Sequence, residues 1–298
     1  MPHPILRLGT RRSPLAMVQA EETQRRLAAA HGLAPDLIEL VPVIASGDKV
    51  QDRPLAEIGG KALWTRELDG WLHDGRIDAA VHSLKDVETI RPASLVIGAV
   101  LPRADRRDRL LGAASIAALP QESVVGTSAP RRAAQLLHLR PDCRVVTFRG
   151  NVATRMAKLA AGEADATFLA AAGLERLGED GVGHPLDPQE WLPAPSQGAI
   201  GIECRAGDAR ILDLLAAIDH APSRVEVMAE RALLAALGGN CHSPIAALSE
   251  GGRLTAALFS PDGAEKVWGQ GDDPAALAAD LLARATPGIA VHFSGPTA

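Results

Sequence analysis

Two stretches of this chain spell the same local structure twice. Leu8-Gly9-Thr10-Arg11-Arg12-Ser13-Pro14 and Val125-Gly126-Thr127-Ser128-Ala129-Pro130-Arg131-Arg132 each read as a strand end, a Gly-Thr turn and a helix start. Downstream, Gly75-Arg76-Ile77-Asp78-Ala79 is echoed by Gly162-Glu163-Ala164-Asp165-Ala166, each after a helical pattern and before an apolar strand. A repeated strand–helix–strand grammar points to βαβ units with parallel strands joined by crossover helices, so we expect two similar α/β domains. In the first, Ile5 to Leu8 and Leu37 to Ile44 read as strands. Ser13-Pro14 caps a helix over Leu15 to Ala30 that closes at Gly32, Leu63 to His73 reads as a second helix, and Ile77 to His82 is a buried strand. The apolar run Ala166 to Leu174 reads as a buried strand of the second.

Pro102 with the charged run Arg103 to Arg109 separates the repeats and reads as a hinge, with Pro193-Ala194-Pro195-Ser196-Gln197-Gly198 as the return. Beyond Pro222 the grammar changes. Ser223 to Leu237 is an Ala-rich helix ended by Gly238-Gly239-Asn240. Leu254 to Phe259, Pro261-Asp262-Gly263 and Lys266 to Trp268 make a hairpin, and Ala275 to Arg284 a last helix. The expected domains are 1–101 with 198–220, then 102–197, then a small α+β domain at 221–298.

Composition narrows the chemistry. Among 298 residues there are four Trp, four Phe and no Tyr, too few for base-stacking platforms, and the net charge of −5 argues further against a nucleic-acid partner. No apolar stretch reaches the roughly 18 residues needed to span a bilayer. Met1 to Arg7 lacks a secretory pattern, so the expected compartment is the cytoplasm. The cysteines at 143, 204 and 241 are isolated and fit neither a disulfide framework nor a zinc site, and the nine His are scattered without ligand spacing, so no metal is expected. Phosphate-loop, dinucleotide and hydrolase motifs are missing. Of the 31 basic residues only five are Lys, and Arg is the side chain that grips carboxylate or phosphate with two parallel bonds.

Three clusters carry the candidate chemistry. Val81-His82-Ser83-Leu84-Lys85-Asp86 ends an apolar strand, where open α/β sheets place ligands, and offers an acid–base carboxylate beside anion contacts. Arg11, Arg131 and Arg132 lie at helix starts in both repeats, and Arg149 and Arg155 flank Gly150-Asn151. Helix N-termini are already positive, so added cations there are unfavourable unless an anion arrives; the pattern points to a polycarboxylate or polyphosphate. Cys241 sits in the loop Gly238-Gly239-Asn240-Cys241-His242-Ser243-Pro244, where a reactive thiolate is possible, although the residues alone favour a buried, inert thiol.

Taken together, the segments resemble the porphobilinogen deaminases, also called hydroxymethylbilane synthases, of tetrapyrrole biosynthesis. The likeness rests on Arg7 to Ala16, Gly59-Gly60-Lys61, Ala80 to Val87, Gly126-Thr127-Ser128, Arg131-Arg132, Arg149-Gly150-Asn151-Val152-Ala153-Thr154-Arg155, Gln197 to Glu203 and the Cys241 loop, and runs over nearly the whole chain. It implies two domains like those of periplasmic binding proteins with hinges, a small C-terminal domain, and a dipyrromethane cofactor joined to Cys241 by a thioether. Four porphobilinogen molecules would be added head to tail, each losing ammonia. Asp86 would protonate the leaving amine and stabilise the cationic pyrrole. Arg11, Ser13, Lys61, Ser83, Lys85, Thr127, Ser128, Arg131, Arg132, Arg149 and Arg155 would hold the acetate and propionate groups. A monomer is expected.

The chain departs from the family pattern at several places: Asn240 and Ala246 for Gly near the thiol, Glu57 for a basic residue, Trp64 for Phe, Ser196 for Gly, and Glu88 where Pro follows Lys-Asp-Val. Two repeated α/β domains with hinges also fit a solute-binding protein or a transcriptional effector domain. Against these stand the third domain with Cys241 and the lack of a helix-turn-helix segment or basic patch before the first domain.

Overall fold

The computed structural model describes residues 4–43, 65–240 and 242–295. In chain order the elements are β1 Leu6–Arg11, α1 Pro14–His31, β2 Ile38–Val43, α2 Arg66–His73, β3 Ala79–Ser83, β4 Leu95–Val100, β5 Asp108–Leu111, β6 Val124–Gly126 and α3 Pro130–Leu139. Then follow β7 Arg144–Val146, α4 Val152–Ala160, β8 Ala166–Ala170, α5 Ala171–Arg176, β9 His184–Pro185, β10 Ile200–Arg205, α6 Ala209–Ala216 and α7 Ala221–Ala236. The last are β11 Ile245–Glu250, β12 Arg253–Phe259, β13 Lys266–Gly271, α8 Pro274–Arg284 and α9 Pro287–Ala290. The chain divides into two compact units, passing from the first to the second between Ala104 and Asp105, returning at Gly198 and leaving again after Arg224.

The first unit is built on a five-stranded sheet in the order β2-β1-β3-β10-β4. β1 is parallel to β2 and β3, whereas β10 runs antiparallel to both β3 and β4. Helices α1 and α6 cover one face, where Leu6, Leu8, Leu27, Ile38, Val81, Ile200, Ile202, Ile211 and Leu215 form the core. Leu68 and Leu72 of α2 cover the other with Val43, Ile77 and Ala80. Each fully buried aliphatic side chain contributes about 1.5–3 kcal/mol, so a sheet shielded on both faces needs near-continuous apolar strands.

The second unit holds a sheet in the order β7-β6-β8-β5-β9, with β6 parallel to β7 and β8, and β5 antiparallel to β8 and β9. It therefore repeats the first sheet strand for strand, and the echo in letters is an echo in hydrogen bonds. Asp78 takes the Arg7 N–H at 2.8 Å and returns its own N–H to the Arg7 carbonyl at 2.9 Å. Asp165 takes the Val124 N–H at 2.7 Å and returns its N–H to the Val124 carbonyl at 2.8 Å. Gly9 and Gly126 occupy equivalent positions, paired with Ala80 and Thr167. Each leaves room for a neighbour: a Cβ would meet Ile77 at 2.3 Å in one and the Phe148 ring at 2.4 Å in the other.

A three-stranded sheet, β11-β12-β13, completes the second unit. One face packs Ile245, Ala247, Leu254 and Leu258 against Leu233 of α7, Leu237 just after it, and Leu277 and Leu281 of α8. The alternate residues Ala246, Ala257 and Phe259 pack on Ala134 of α3, a period of two that sets the register.

Two expectations change. The apolar run 166–174 is not one strand: β8 ends at Ala170, opposite Asp108, the first residue of β5, and the chain then turns into α5. Asp108 and Arg109, read as hinge, already belong to β5. Asp108 is fully buried there, between Arg131 and Arg132, each at 2.8 Å. Trp191 Nε1 at 2.8 Å and Gln197 Nε2 at 2.9 Å also donate to it. Burial opposes ionisation, but the two guanidinium charges and these hydrogen bonds outweigh it and hold the carboxyl far below the usual carboxylate range.

A carboxyl depressed on folding stabilises above its unfolded pKa, near 4, and loses that contribution as pH falls through the lower folded value. Unfolding temperature should therefore drop steeply as pH is lowered below about 5. Asp108→Asn should destabilise the protein by about 3–5 kcal/mol at neutral pH and flatten that acid limb, as measured by denaturant melts across pH.

Candidate functional site

The first unit's site starts from the end of β1. Ser13 caps α1, its backbone extended at φ −66° and ψ 149° and its Oγ accepting the Ala16 N–H at 3.4 Å, with Pro14 opening the helix. One buried face of α1 runs Ala16, Gln19, Ala20, Thr23, Leu27, and the polar Gln19 in that row meets Ser83 at the end of β3. Gln19 Nε2 donates to Ser83 Oγ at 2.8 Å and Ser83 Oγ donates to Gln19 Oε1 at 3.1 Å. After Ser83 the chain makes a single 3-10 turn, Leu84–Asp86. Leu84 is buried on Gly201 of β10, where a Cβ would come within 2.3 to 2.8 Å of three Leu84 carbons.

Arg11, Ser13, Gln19, His82, Ser83 and Asp86 thereby line one open pocket, about 410 Å³ including its solvent-filled mouth. A carboxyl, a guanidinium and two hydroxyls in one concavity can exchange a proton with a bound molecule and hold its anionic groups. Gln19 was not singled out by the sequence reading. Its signal is a polar residue on the apolar face of a helix. Lys85 lies on the same turn, partly buried and outside the pocket lining.

In the second unit, Thr127 follows β6, with its N–H on the Val146 carbonyl at 2.8 Å and its Oγ1 accepting the Ala129 N–H at 3.2 Å. Ser128 is partly exposed beside it. Arg131 and Arg132 form the first turn of α3 and are buried rather than splayed into solvent. Besides Asp108 they donate to the carbonyls of Leu192 at 3.0 Å and Phe168 at 2.9 Å. Arg149 is buried at the end of Phe148-Arg149. Gly150 adopts φ +105° and lies so close to Thr154 that a Cβ would stand 2.7 Å from it. Asn151 then caps α4, its Oδ1 accepting from Thr154 N–H at 2.9 Å and Oγ1 at 3.0 Å, which brings Arg155 round to donate to the Gly150 carbonyl at 3.0 Å.

The donor set tests whether a carboxylate-bearing group fits. Two buried guanidiniums share the single charge of Asp108, and among the described residues the Nε of each has no hydrogen-bond acceptor. An unmet buried donor is unfavourable by about 1–3 kcal/mol, and an added carboxylate would relieve it. The residues present fit such a group.

Lys61, Cys241, Glu57 and Trp64 lie outside the described residues. The loop residues flanking Cys241 are defined. Gly238 ends α7 at φ +65°, Asn240 Oδ1 accepts the His242 N–H at 2.8 Å, and the Asn240 N–H donates to Ser243 Oγ at 3.1 Å. Burial pushes the His242 pKa down. Cys143 and Cys204 are buried, and burial raises both thiols, Cys204 to about 11, which disfavours the reactive thiolate at both.

Fold and site together define an α/β protein with a carboxyl-bearing pocket at a strand end and an arginine-rich second unit, suited to a small polyanion. A family model described as porphobilinogen deaminase, dipyromethane cofactor binding domain, matches residues 6–213, and one described as porphobilinogen deaminase, C-terminal domain, matches 224–285. Curated relatives named porphobilinogen deaminase include that of Sphingopyxis alaskensis, 58% identical over 97% of this chain and 96% of its own length. That of Paracoccus denitrificans is 52% identical over 93% and 92%. The Bordetella pertussis BvgS periplasmic VFT2 domain aligns at 16% identity over 71% of this chain and 86% of that one, with a TM-score of 0.39, a slight likeness. The chain belongs to the porphobilinogen deaminase family.

Because a Cβ at Gly201 would stand 2.3 to 2.8 Å from three Leu84 carbons, Gly201→Ala should push the turn that carries Asp86. The expected outcome is a loss of about 1–3 kcal/mol in a denaturant melt, with ammonia release per folded molecule also reduced.

Proposed function

We propose that this protein joins four porphobilinogen molecules head to tail, releasing ammonia at each addition, on a dipyrromethane group held by a thioether to Cys241, and that water then cleaves the chain from that group as the linear tetrapyrrole hydroxymethylbilane. The observation that carries this reading is the placement of Asp86 on a fixed turn in a pocket with Arg11, Ser13 and Ser83, in a chain whose family is that of the porphobilinogen deaminases. Bound dipyrromethane supplies the pyrrole carbon that receives the first porphobilinogen.

The chain's own residues divide the remaining work. As the aminomethyl C–N bond breaks, Asp86 hands a proton to the departing nitrogen, and its carboxylate then faces the positive charge left on the ring. Each ring brings an acetate and a propionate. Arg11, Ser13, Ser83 and Lys85 of the first unit, with Lys61, take one part of that charge. Thr127, Ser128, Arg149 and Arg155 of the second take another, with Arg131 and Arg132 offering the N–H groups that Asp108 leaves unmet. Among the described residues no helix is long and apolar enough to cross a membrane, and no cluster of three His, Cys, Asp or Glu gathers as a metal site. The reading makes the protein a cytoplasmic monomer with domains 1–101 plus 198–220, 102–197 and 221–298, and with porphobilinogen rather than nucleic acid or membrane as its partner.

Intact mass of the purified protein beside Cys241→Ser tests the attachment. An excess of two linked pyrrole units, missing from the variant, is expected, and a bare mass that stays bare with porphobilinogen would overturn it. Asp86→Asn should keep the fold and lose turnover by about 100-fold or more, read as ammonia release. Arg149→Leu should impair loading or elongation, seen as missing mass steps.

A further inference from the structure

A second charged cluster lies behind the Asp86 turn, and the chemistry above does not use it. Glu203 of β10 is fully buried, and its two oxygens accept from Arg91 Nε at 2.9 Å and Nη2 at 3.0 Å. The same guanidinium donates to Asp69 of α2 at 2.6 Å, Glu88 at 2.8 Å and Thr65 at 3.3 Å. Thr65 Oγ1 in turn donates to Glu88 at 2.8 Å, and Glu203 Oε2 lies 3.3 Å from Nε2 of His82 in the pocket lining. Burial disfavours the Glu203 charge, but His82 and Arg91 prevail and hold its pKa at about 2.

One side chain thus ties together β10, α2 and the loop that leaves Asp86. That loop is anchored on its near side by the Leu84 N–H on the Ala199 carbonyl at 3.0 Å and the Val87 N–H on the Leu84 carbonyl at 3.2 Å. Beyond Val87, Glu88 accepts from the Thr65 hydroxyl and the Arg91 guanidinium, and Arg91 holds Glu203. Glu88 stands where the family pattern has proline, whose ring fixes φ without any partner. Val87 has φ −90° and ψ 131°, the conformation that precedes a proline, so the backbone course suits that ring although the ring is absent.

We propose that Arg91 is the positioning residue for Asp86: its ion pairs with Glu88, Asp69 and Glu203 replace the stiffness of a proline and hold the acid at its place in the pocket. The proposal rests on the reading of Asp86 as the acid. A bidentate contact to a buried carboxylate, with further acceptors around the same fork, is an arrangement that lysine cannot reproduce.

Removing Arg91 alone strands Glu203, so the test uses Arg91→Met together with Glu203→Gln. The double variant should melt near the wild-type temperature and carry the same covalent mass on Cys241. Its KM for porphobilinogen should stay within about twofold and its kcat fall by about 10- to 100-fold, with faster deuterium uptake over 84–90. Adding Glu88→Pro should restore both kcat and protection. A double variant with wild-type kcat and protection overturns the proposal, as does a loss of kcat that Glu88→Pro leaves unchanged. Asp86→Asn measured alongside separates the two readings: normal turnover there removes Asp86 as the acid, whereas an inactive Asp86→Asn beside a fully active double variant removes only Arg91.

Discussion

A carboxylate that no water reaches organises the second unit. Asp108 alone has little reason to sit in a strand interior, since an unpaired buried charge is strongly unfavourable. With Arg131 and Arg132 on its two oxygens, Trp191 and Gln197 completing its hydrogen bonds, it joins β5, the start of α3 and the segment before the return to the first unit. Phe168 and Trp191 stack at 4.7 Å beside it, so the charged cluster is walled by aromatic surface that strengthens its electrostatics. The same contact that makes the fold specific also fixes two arginines with donors left over.

Duplication explains why the chemistry divides as it does. The two sheets share their strand order and their aspartate-to-backbone lock, so each presents a strand end and a helix start at equivalent places. The first unit fills its strand end with Ser83, Lys85 and Asp86, which places a carboxyl beside hydroxyls there. The second follows its equivalent strand with α5 and concentrates arginines at the starts of α3 and α4. One scaffold supplies two kinds of site because loops tolerate different residues while the sheet does not.

The departures from the family pattern acquire physical meaning when placed on the structure. Ser196, which replaces glycine, sits at φ +63°, a conformation unfavourable by about 1–2 kcal/mol for a residue with a Cβ. Its N–H is held at 2.6 Å by the buried Glu230, which also takes the Ser249 N–H at 2.8 Å, so the strained turn is pinned to β11. Asn240 needs no left-handed backbone, and its Oδ1 accepts the His242 N–H. Ala246 adds a methyl group to the packing between β11 and α3. Glu88 is drawn into the Arg91 cluster.

Local physics determined much of this protein from its letters alone. Ser13-Pro14, the Gly-Thr turns, the apolar strand runs and the return at Gly198 are decided by φ/ψ preference, capping and period, which act over a few residues. The strand end at 81–86 with its carboxyl-bearing turn was legible for the same reason. What the letters could not decide is which charges face each other. Asp108 lies 23 residues before Arg131, and Glu203 lies 112 after Arg91. No spacing rule links such pairs, because only the closure of β5 against β8 and of β10 against β3 brings them within reach. Gln19 became a pocket residue, and Arg131 and Arg132 came to be buried on Asp108, through that tertiary pairing, since burial and counter-charge depend on neighbours distant in the chain.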